Sequence, residues 1–318
     1  MKSKFFFTVW VLTLFFPLYS FSQFVLKDGY LSLLTKDKAE QSFKYKNLIL
    51  YPILGGNHFV HESNNANYTS LEDALKSKKV KITEKESSGG QVNQLFIENT
   101  SMDTVYILAG EVVKGGKQDR VISDDKVLVP RSGKINIDVF CVEHNRWNYK
   151  SDRNFSQYHS LSANSVRKSA VKEKNQVEVW QKVADVTSKQ SAQTSTGTYT
   201  ALSSAPAFTN DLNTYINYFT TSFKGLSNCV GFIGVSGDKI IGCDIFANTE
   251  MLKKQLKNLV QSYSTEAITN GKAAIPDYTK ILTYLKGYLG DEKNQDANID
   301  KVGTKYDYKG KKIHINNY

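Results

Sequence analysis

The chain has 318 residues, 40% hydrophobic and 12% aromatic, with 41 Lys and Arg against 31 Asp and Glu and a net charge of +10. That composition supplies a full core and excludes a disordered or low-complexity protein. The positive charge is dispersed; its densest clusters, Lys76-Ser77-Lys78-Lys79 and Lys309 to Lys312, are too sparse for a dedicated nucleic-acid stripe, so no specific nucleic-acid partner is expected.

In chain order, Lys2 and Lys4 precede the apolar run Phe5 to Phe16, and Pro17 begins a short exit to Ser20-Phe21-Ser22. This reads as a secretory signal peptide over residues 1–22, with a mature start at Gln23 and an exported protein, periplasmic or extracellular. The run falls short of the ~20 residues of a membrane span. No later segment approaches that length, so no transmembrane segment is expected after signal removal, and no cysteine precedes Cys141 to accept a lipid.

The first half of the remainder reads as strands. Lys46 to Leu54 suits a buried strand, and Thr69-Ser70-Leu71-Glu72 has the form of a capping box opening a short helix to about Lys76. Val80 to Thr83 alternates, Ser88-Gly89-Gly90 turns the chain, and Val92 to Glu98 and Thr104 to Leu108 follow as strands. Ile135, Ile137, Val139 and Cys141 recur with a period of two.

The second half reads as mostly helical. Val166, Ala170, Val177, Trp180 and Ala184 predict one helix from Asn164 to about Lys189 with a single apolar face. Residues 188–207, rich in Ser, Thr and Ala, read as an exposed, mobile connection. Phe208, Leu212, Ile216, Phe219 and Phe223 mark the next helix; a hairpin spans Cys229 to Phe246, and helices follow at Leu252 to Tyr263 and near Tyr278 to Leu289. A polar tail then leads to a terminal hairpin around Gly310. The whole predicts an α+β fold: residues 23–318 as one domain, with a mostly antiparallel strand-rich half and later helices packed on it.

With three cysteines at least one thiol is unpaired. A turn at Gly237-Asp238 would set Cys243 opposite Phe232 and send Cys229 to the other face, so three reduced, mostly buried cysteines are expected.

Two segments concentrate the chemistry. Gly110-Glu111 and Gly115-Gly116-Lys117-Gln118-Asp119-Arg120 form the first; Cys141-Val142-Glu143-His144-Asn145-Arg146-Trp147 ends the alternating strand. If the strand keeps its phase, Glu143 faces the core and needs Arg146, Lys117 or Arg120 as partner. The loop resembles an anion cradle of free N–H groups beside cations, without the P-loop or dinucleotide spacing, and Glu111 could face it as a second carboxylate. Structural alternatives stand beside these: an ion pair stapling the strand end, a glycine bend, an inert core thiol at Cys141, and Trp147 and Trp180 packing the core. No metal site is expected, because His58 and His61 lack further ligands and His159 and His314 stand alone. No cofactor is expected.

These two blocks resemble those of the ARG and rhodanese-phosphatase-superfamily-associated protein domain family, in which a Gly-Glu strand end, a Gly-x-Lys-Gln-x-Arg block and Val-x-Cys-Val-Glu-x-x-Arg-Trp follow in order. The likeness extends to Asn47–Leu54, Leu71–Leu75, Val179-Trp180, Gly231–Phe246 and Ser262-Tyr263. Asp119 and His144-Asn145 depart from the usual Asn and Gln-Gly. The family carries no established activity. The functional expectation is binding of a small or polymeric anionic, hydroxyl-rich ligand, with Lys117, Gln118, Arg120, Arg146, Gly115 and Gly116 as contacts. The alternatives are a hydrolase of phosphate or glycosyl bonds using Glu111 or Glu143, and a structural or partner-binding envelope protein.

Overall fold

The computed structural model describes residues 30–56, 68–85, 93–146, 153–289 and 292–318. The signal peptide, the Ser88 turn, His58, His61 and Trp147 lie outside the described residues.

The first strands are β1 (Leu31–Leu33), β2 (Lys44–Tyr45), β3 (Leu48–Gly55), β4 (Tyr68–Ser70), β5 (Val80–Glu84) and β6 (Gln94–Asn99). Then come β7 (Thr104–Ile107), β8 (Glu111–Lys114), β9 (Arg120–Ile122), β10 (Lys126–Leu128), β11 (Gly133–Cys141) and β12 (Gln157–Leu161). After the central helices follow β13 (Cys229–Ser236), β14 (Lys239–Phe246), β15 (Gly303–Tyr308) and β16 (Lys311–Asn317). The helices are α1 (Lys36–Ser42), α2 (Leu71–Lys76), α3 (Asn164–Arg167), α4 (Gln176–Lys189), α5 (Pro206–Phe223), α6 (Thr249–Asn270), α7 (Tyr278–Lys286) and α8 (Glu292–Val302). This is an α+β fold, antiparallel except where β4 runs parallel to β7.

A seven-stranded sheet runs β1-β3-β13-β14-β16-β15, with β2 also on β3. Alternation in its strands feeds two cores. Leu48, Leu50, Phe232 and Phe246 meet Phe219, Phe223, Leu259 and Tyr263 of α5 and α6 on one face. Ile49, Tyr51, Ile233 and Ile245 meet Ala39, Ile281 and Ile299 of α1, α7 and α8 on the other. Full burial of each large side chain contributes about 1.5–3 kcal/mol. A six-stranded sheet, β12-β8-β9-β11-β6-β5, is covered on one side by α3 and α4 and on the other by α2 and the small sheet β10-β7-β4.

Several local expectations shift. Ser70, not Thr69, caps α2, its hydroxyl accepting from the Asp73 N–H at 3.1 Å. The helix expected from Asn164 to Lys189 is broken. After α3 the chain makes a π-helical turn at Lys168–Lys172, Lys174 takes φ 48°, and Asn175 restarts the helix by accepting from the Val177 and Glu178 N–H groups. The break rotates the second segment, so α4 buries Val179, Val183 and Val186 and turns Val177, Trp180 and Ala184 outward.

The connection at 188–207 is not simply exposed: Tyr199–Ser204 form a 3-10 helix whose Tyr199, Ala201 and Leu202 are buried. The polar tail contains α8, whose Ile299 is buried.

In the β13–β14 hairpin a bulge beyond Gly234 sets Cys243 opposite Ile233 rather than Phe232. Even so, Cys229 and Cys243 end in different cores, and all three cysteines are free and buried.

Candidate functional site

The Gly115–Arg120 loop joins β8 to β9, two strands paired through Val112–Val121 and Val113–Arg120. Gly115 (φ +134°) runs so near the next segment that a Cβ would lie 2.5 Å from the Asn154 carbonyl oxygen. Gly116 (φ +52°) would drive one into the Phe155 ring at 2.3 Å. Close approach and left-handed backbone together explain the glycine pair.

The loop's N–H groups face carboxylates of the chain itself. Gly115 donates to Asp119 Oδ1 at 3.0 Å, Lys117 to Glu84 Oε1 at 2.7 Å and Asp119 to Glu143 Oε2 at 3.1 Å. The expected cradle of open donors is therefore filled from within.

Arg146 closes the arrangement. Its Nε donates to Glu143 Oε2 at 2.7 Å, its Nη2 to Asp119 Oδ1 at 3.2 Å and its Nη1 to the Gly116 carbonyl at 3.1 Å. Asp119, 2% exposed, gives its second oxygen to the Thr198 and Thr200 hydroxyls, both at 2.9 Å. Gln118 donates to the Glu143 carbonyl at 2.8 Å. Glu143 lies beyond the end of β11 and bridges to Thr198. One lock thus ties the loop, the strand end and the 3-10 segment, with buried charges compensated by hydrogen bonds.

Arg120 is fully buried, its Nη1 donating to the Gln118 carbonyl at 2.8 Å and its Nη2 3.8 Å from Glu84 Oε1. Glu111 does not face the loop. It is the first residue of β8 and fully buried, its Oε2 accepting from the Leu108 N–H at 2.9 Å. Burial, reinforced by Asp125 and Glu72, pushes its carboxyl well above the usual range and so favours the neutral acid. Of the expected site residues, then, the structure gathers Gly115, Gly116, Lys117, Gln118, Glu143 and Arg146, holds Arg120 below them, and separates Glu111.

Beside the lock, α4 docks on the end of β11 through Gln176, whose side-chain amide both accepts from the Cys141 N–H and donates to its carbonyl at 2.8 Å. Burial pushes the Cys141 thiol up. Between α4 and residues 193–197 lies an open cleft of about 620 Å³, lined among others by His144, Asn145, Val177, Trp180, Gln181 and Thr194. The His144 ring stands edge-on to Trp180, centroids 4.3 Å apart. Trp180 is half-buried and walls this cleft rather than filling the core.

A second polar centre escapes the sequence reading. Arg167 and Asp244, both fully buried, form a two-pronged pair with Nη1 and Nη2 at 3.1 and 2.8 Å from the carboxylate oxygens. The Tyr263 hydroxyl donates to Asp244 at 2.7 Å, and the Tyr318 ring lies 5.2 Å from the guanidinium. His314, expected to stand alone, has Nε2 3.0 Å from Asp244 and Nδ1 2.7 Å from Asp125, whose other oxygen accepts from the Ala109 N–H at 2.6 Å. Two carboxylates, a guanidinium and an imidazole meet here, all buried from bulk solvent. The one local signal was Asp244 inside an otherwise apolar strand. Among the described residues, no three His, Cys, Asp or Glu side chains are grouped to hold a metal ion.

An antiparallel α+β domain with a self-capped glycine loop and a buried Arg-Asp-His-Asp centre defines the class. The sequence matches the ARG and Rhodanese-Phosphatase-superfamily-associated Protein domain over residues 38–317, and the chain belongs to that family. The match reaches beyond the segments from Asn47 to Tyr263 that carry the likeness and takes in the terminal hairpin. Comparison with curated proteins gives no match, and neither does comparison with solved structures. No helix among the described residues is long and apolar enough to cross a membrane.

Proposed function

We propose that the protein is an exported binding protein for a hydroxyl-rich ligand, a small molecule or one stretch of a polymer, received in the cleft beside Trp180. The observation that carries this reading is the outward stripe of Val177, Trp180 and Ala184, which with Gln181 of the same helix and Asn145 and Thr194 lines a cleft of about 620 Å³. An aromatic wall beside amides and hydroxyls suits a sugar-like ring, whose apolar face packs on indole while its hydroxyls exchange hydrogen bonds. The lock of Asp119, Glu143 and Arg146 then acts as scaffold, holding the strand end that carries His144 and Asn145. Arg146 already serves Glu143, Asp119 and Gly116, so an uncharged ligand is favoured over an anionic one.

Titration of the purified mature protein with neutral oligosaccharides and their phosphorylated counterparts tests this by tryptophan emission and calorimetry. Saturable binding of a neutral sugar, lost in Trp180→Ala but with folding intact, is expected. Absence of binding across both panels would remove the reading. Export is tested by sequencing the mature N-terminus, expected at Gln23.

The hydrolase alternative draws no support from Glu111, sealed from solvent, or from Glu143, whose Oε2 is engaged by Arg146 and the Asp119 N–H. The closed lock does favour a second reading, a partner-binding envelope protein, in which replacement of any lock residue unfolds the domain and Trp180→Ala changes no sugar affinity.

A further inference from the structure

We propose that the Asp125–His314–Asp244 bridge is a proton-dependent latch, in which a doubly protonated His314 fastens β16 to the β9–β10 turn and loss of one proton frees that strand locally.

The geometry demands the charge. Both ring nitrogens of His314 lie within hydrogen-bonding distance of carboxylate oxygens, Nδ1 at 2.7 Å from Asp125 and Nε2 at 3.0 Å from Asp244. With both carboxyl groups ionised each oxygen only accepts, so each nitrogen must carry a hydrogen, and only the imidazolium has two. A neutral tautomer would aim a lone pair at a buried carboxylate.

Every element packed around the ring adds to the charge balance. Arg167 of α3 occupies the other edge of Asp244, and Tyr263 of α6 donates to it. Tyr318 stacks near Arg167, and Phe246 of β14 stacks on the imidazole at 4.4 Å. Tyr106, Tyr306 and Glu111 sit close enough to Asp125 for their titrations to respond to it. Burial pushes Glu111 toward the neutral acid and Tyr106 and Tyr263 toward neutral phenols. On the alkaline side of neutrality, His314 gives up its proton as pH rises through about 9. Its departure leaves two carboxylates facing one guanidinium, all buried from bulk solvent.

The latch joins parts far apart in sequence. Asp125 lies between β9 and β10, Asp244 on β14, and His314 on β16, which is clamped between β14 and β15. Burial disfavours the charged ring, but Asp125 and Asp244 more than offset it and raise His314 to about 9. A raised value means that the proton stabilises the fold fully below the unfolded value near 6.5, and that this stabilisation is lost as pH rises through about 9.

Nitrogen-15 NMR of histidine-labelled full-length protein tests the charge directly, with His314→Gln assigning the signal. Both ring nitrogens should carry protons at neutral pH, and one proton should leave by about pH 10. In parallel, hydrogen exchange of the β16 amides, corrected for intrinsic rates, should accelerate roughly tenfold per pH unit above 9 relative to the central amides of α6. Should His314→Gln fail to fold, Asp125→Asn serves: one carboxylate fewer moves both events to lower pH. A single-proton tautomer at neutral pH overturns the proposal. So does deprotonation that leaves β16 protection unchanged, or opening of α6 and β16 together.

Discussion

Gly110 and Arg167 share one volume: a Cβ at position 110 would stand 2.5 Å from Arg167 Cγ, and Gly110 itself has φ +98°. Arg167 cannot retreat, because both prongs of its guanidinium are held by Asp244. Gly110→Ala should therefore destabilise the domain by at least about 2 kcal/mol, through left-handed strain and overpacking together. Urea denaturation followed by circular dichroism measures it; a change under about 0.5 kcal/mol would mean the contact is slack.

Breaking the Arg167–Asp244 pair from one side should be among the most damaging single changes. Asp244→Asn leaves a buried guanidinium without its counter-ion, at a cost of about 3–5 kcal/mol. On the acid side the sign is opposite to that of His314. Burial alone would raise Asp244, but Arg167 and His314 overcome it and hold its carboxyl well below the usual range. Its contribution is thus present above the unfolded value of about 3.9 and is lost as pH falls further. Thermal unfolding of wild type should steepen with acidity below about pH 4, and Asp244→Asn should lack that portion of the slope.

Asp119 is expected to matter more than its charge alone suggests. Asp119→Ala removes the acceptor for the Gly115 N–H, Arg146, Thr198 and Thr200 at once. A loss of about 3–5 kcal/mol is expected, with Asp119→Asn recovering part of it by keeping one acceptor oxygen. Equal losses in the two variants would show that the hydroxyl contacts contribute little.

The broken helix gives a paired test. Val183→Ala, from the buried face of α4, should cost about 2 kcal/mol. Val177→Ala, 57% exposed, should stay within about 0.5 kcal/mol. A reversal would restore the single continuous apolar face that residues 164–189 suggest on paper.

Burial pushes the Cys229 thiol up to about 12 and raises Cys141 and Cys243 as well. Native protein should be nearly inert to a thiol reagent at neutral pH, and denatured protein should release three equivalents. Release of a single equivalent would reveal a disulfide.

Local patterns made most of the fold readable. Alternation marked β11, the Gly237-Asp238 turn marked the β13–β14 hairpin, three-and-four spacing marked α5 and α6, and Gly310 marked the last turn. What stayed hidden was decided by single residues or by distance. Lys174 in a left-handed conformation and Asn175 as a cap split one helix into two, and the rotation between them moved the buried face from Val177, Trp180 and Ala184 to Val179, Val183 and Val186. The bulge past Gly234 moved a register by one.

At the candidate site, Glu143 and Arg146 are three residues apart and their pairing could be foreseen. The partners that fill the loop could not, because Glu84 and Thr198 come from segments 33 or more residues from Lys117 and 79 residues from Asp119. His314 looked solitary for the same reason: its carboxylates are 70 and 189 residues away.

The seven-stranded sheet draws β1, β2 and β3 from residues 31–55 and β16 from residues 311–317, and β16 lies inside the sheet rather than at its rim. β14 ends at Phe246 and pairs at once with β13, but its other neighbour, β16, begins only at Lys311 and is made much later. Until then β14 presents an unpaired edge, which is an invitation to aggregation. Holding the nascent polypeptide unfolded through most of its synthesis is compatible with this topology, and cutting the gene into two halves should yield no soluble product from either.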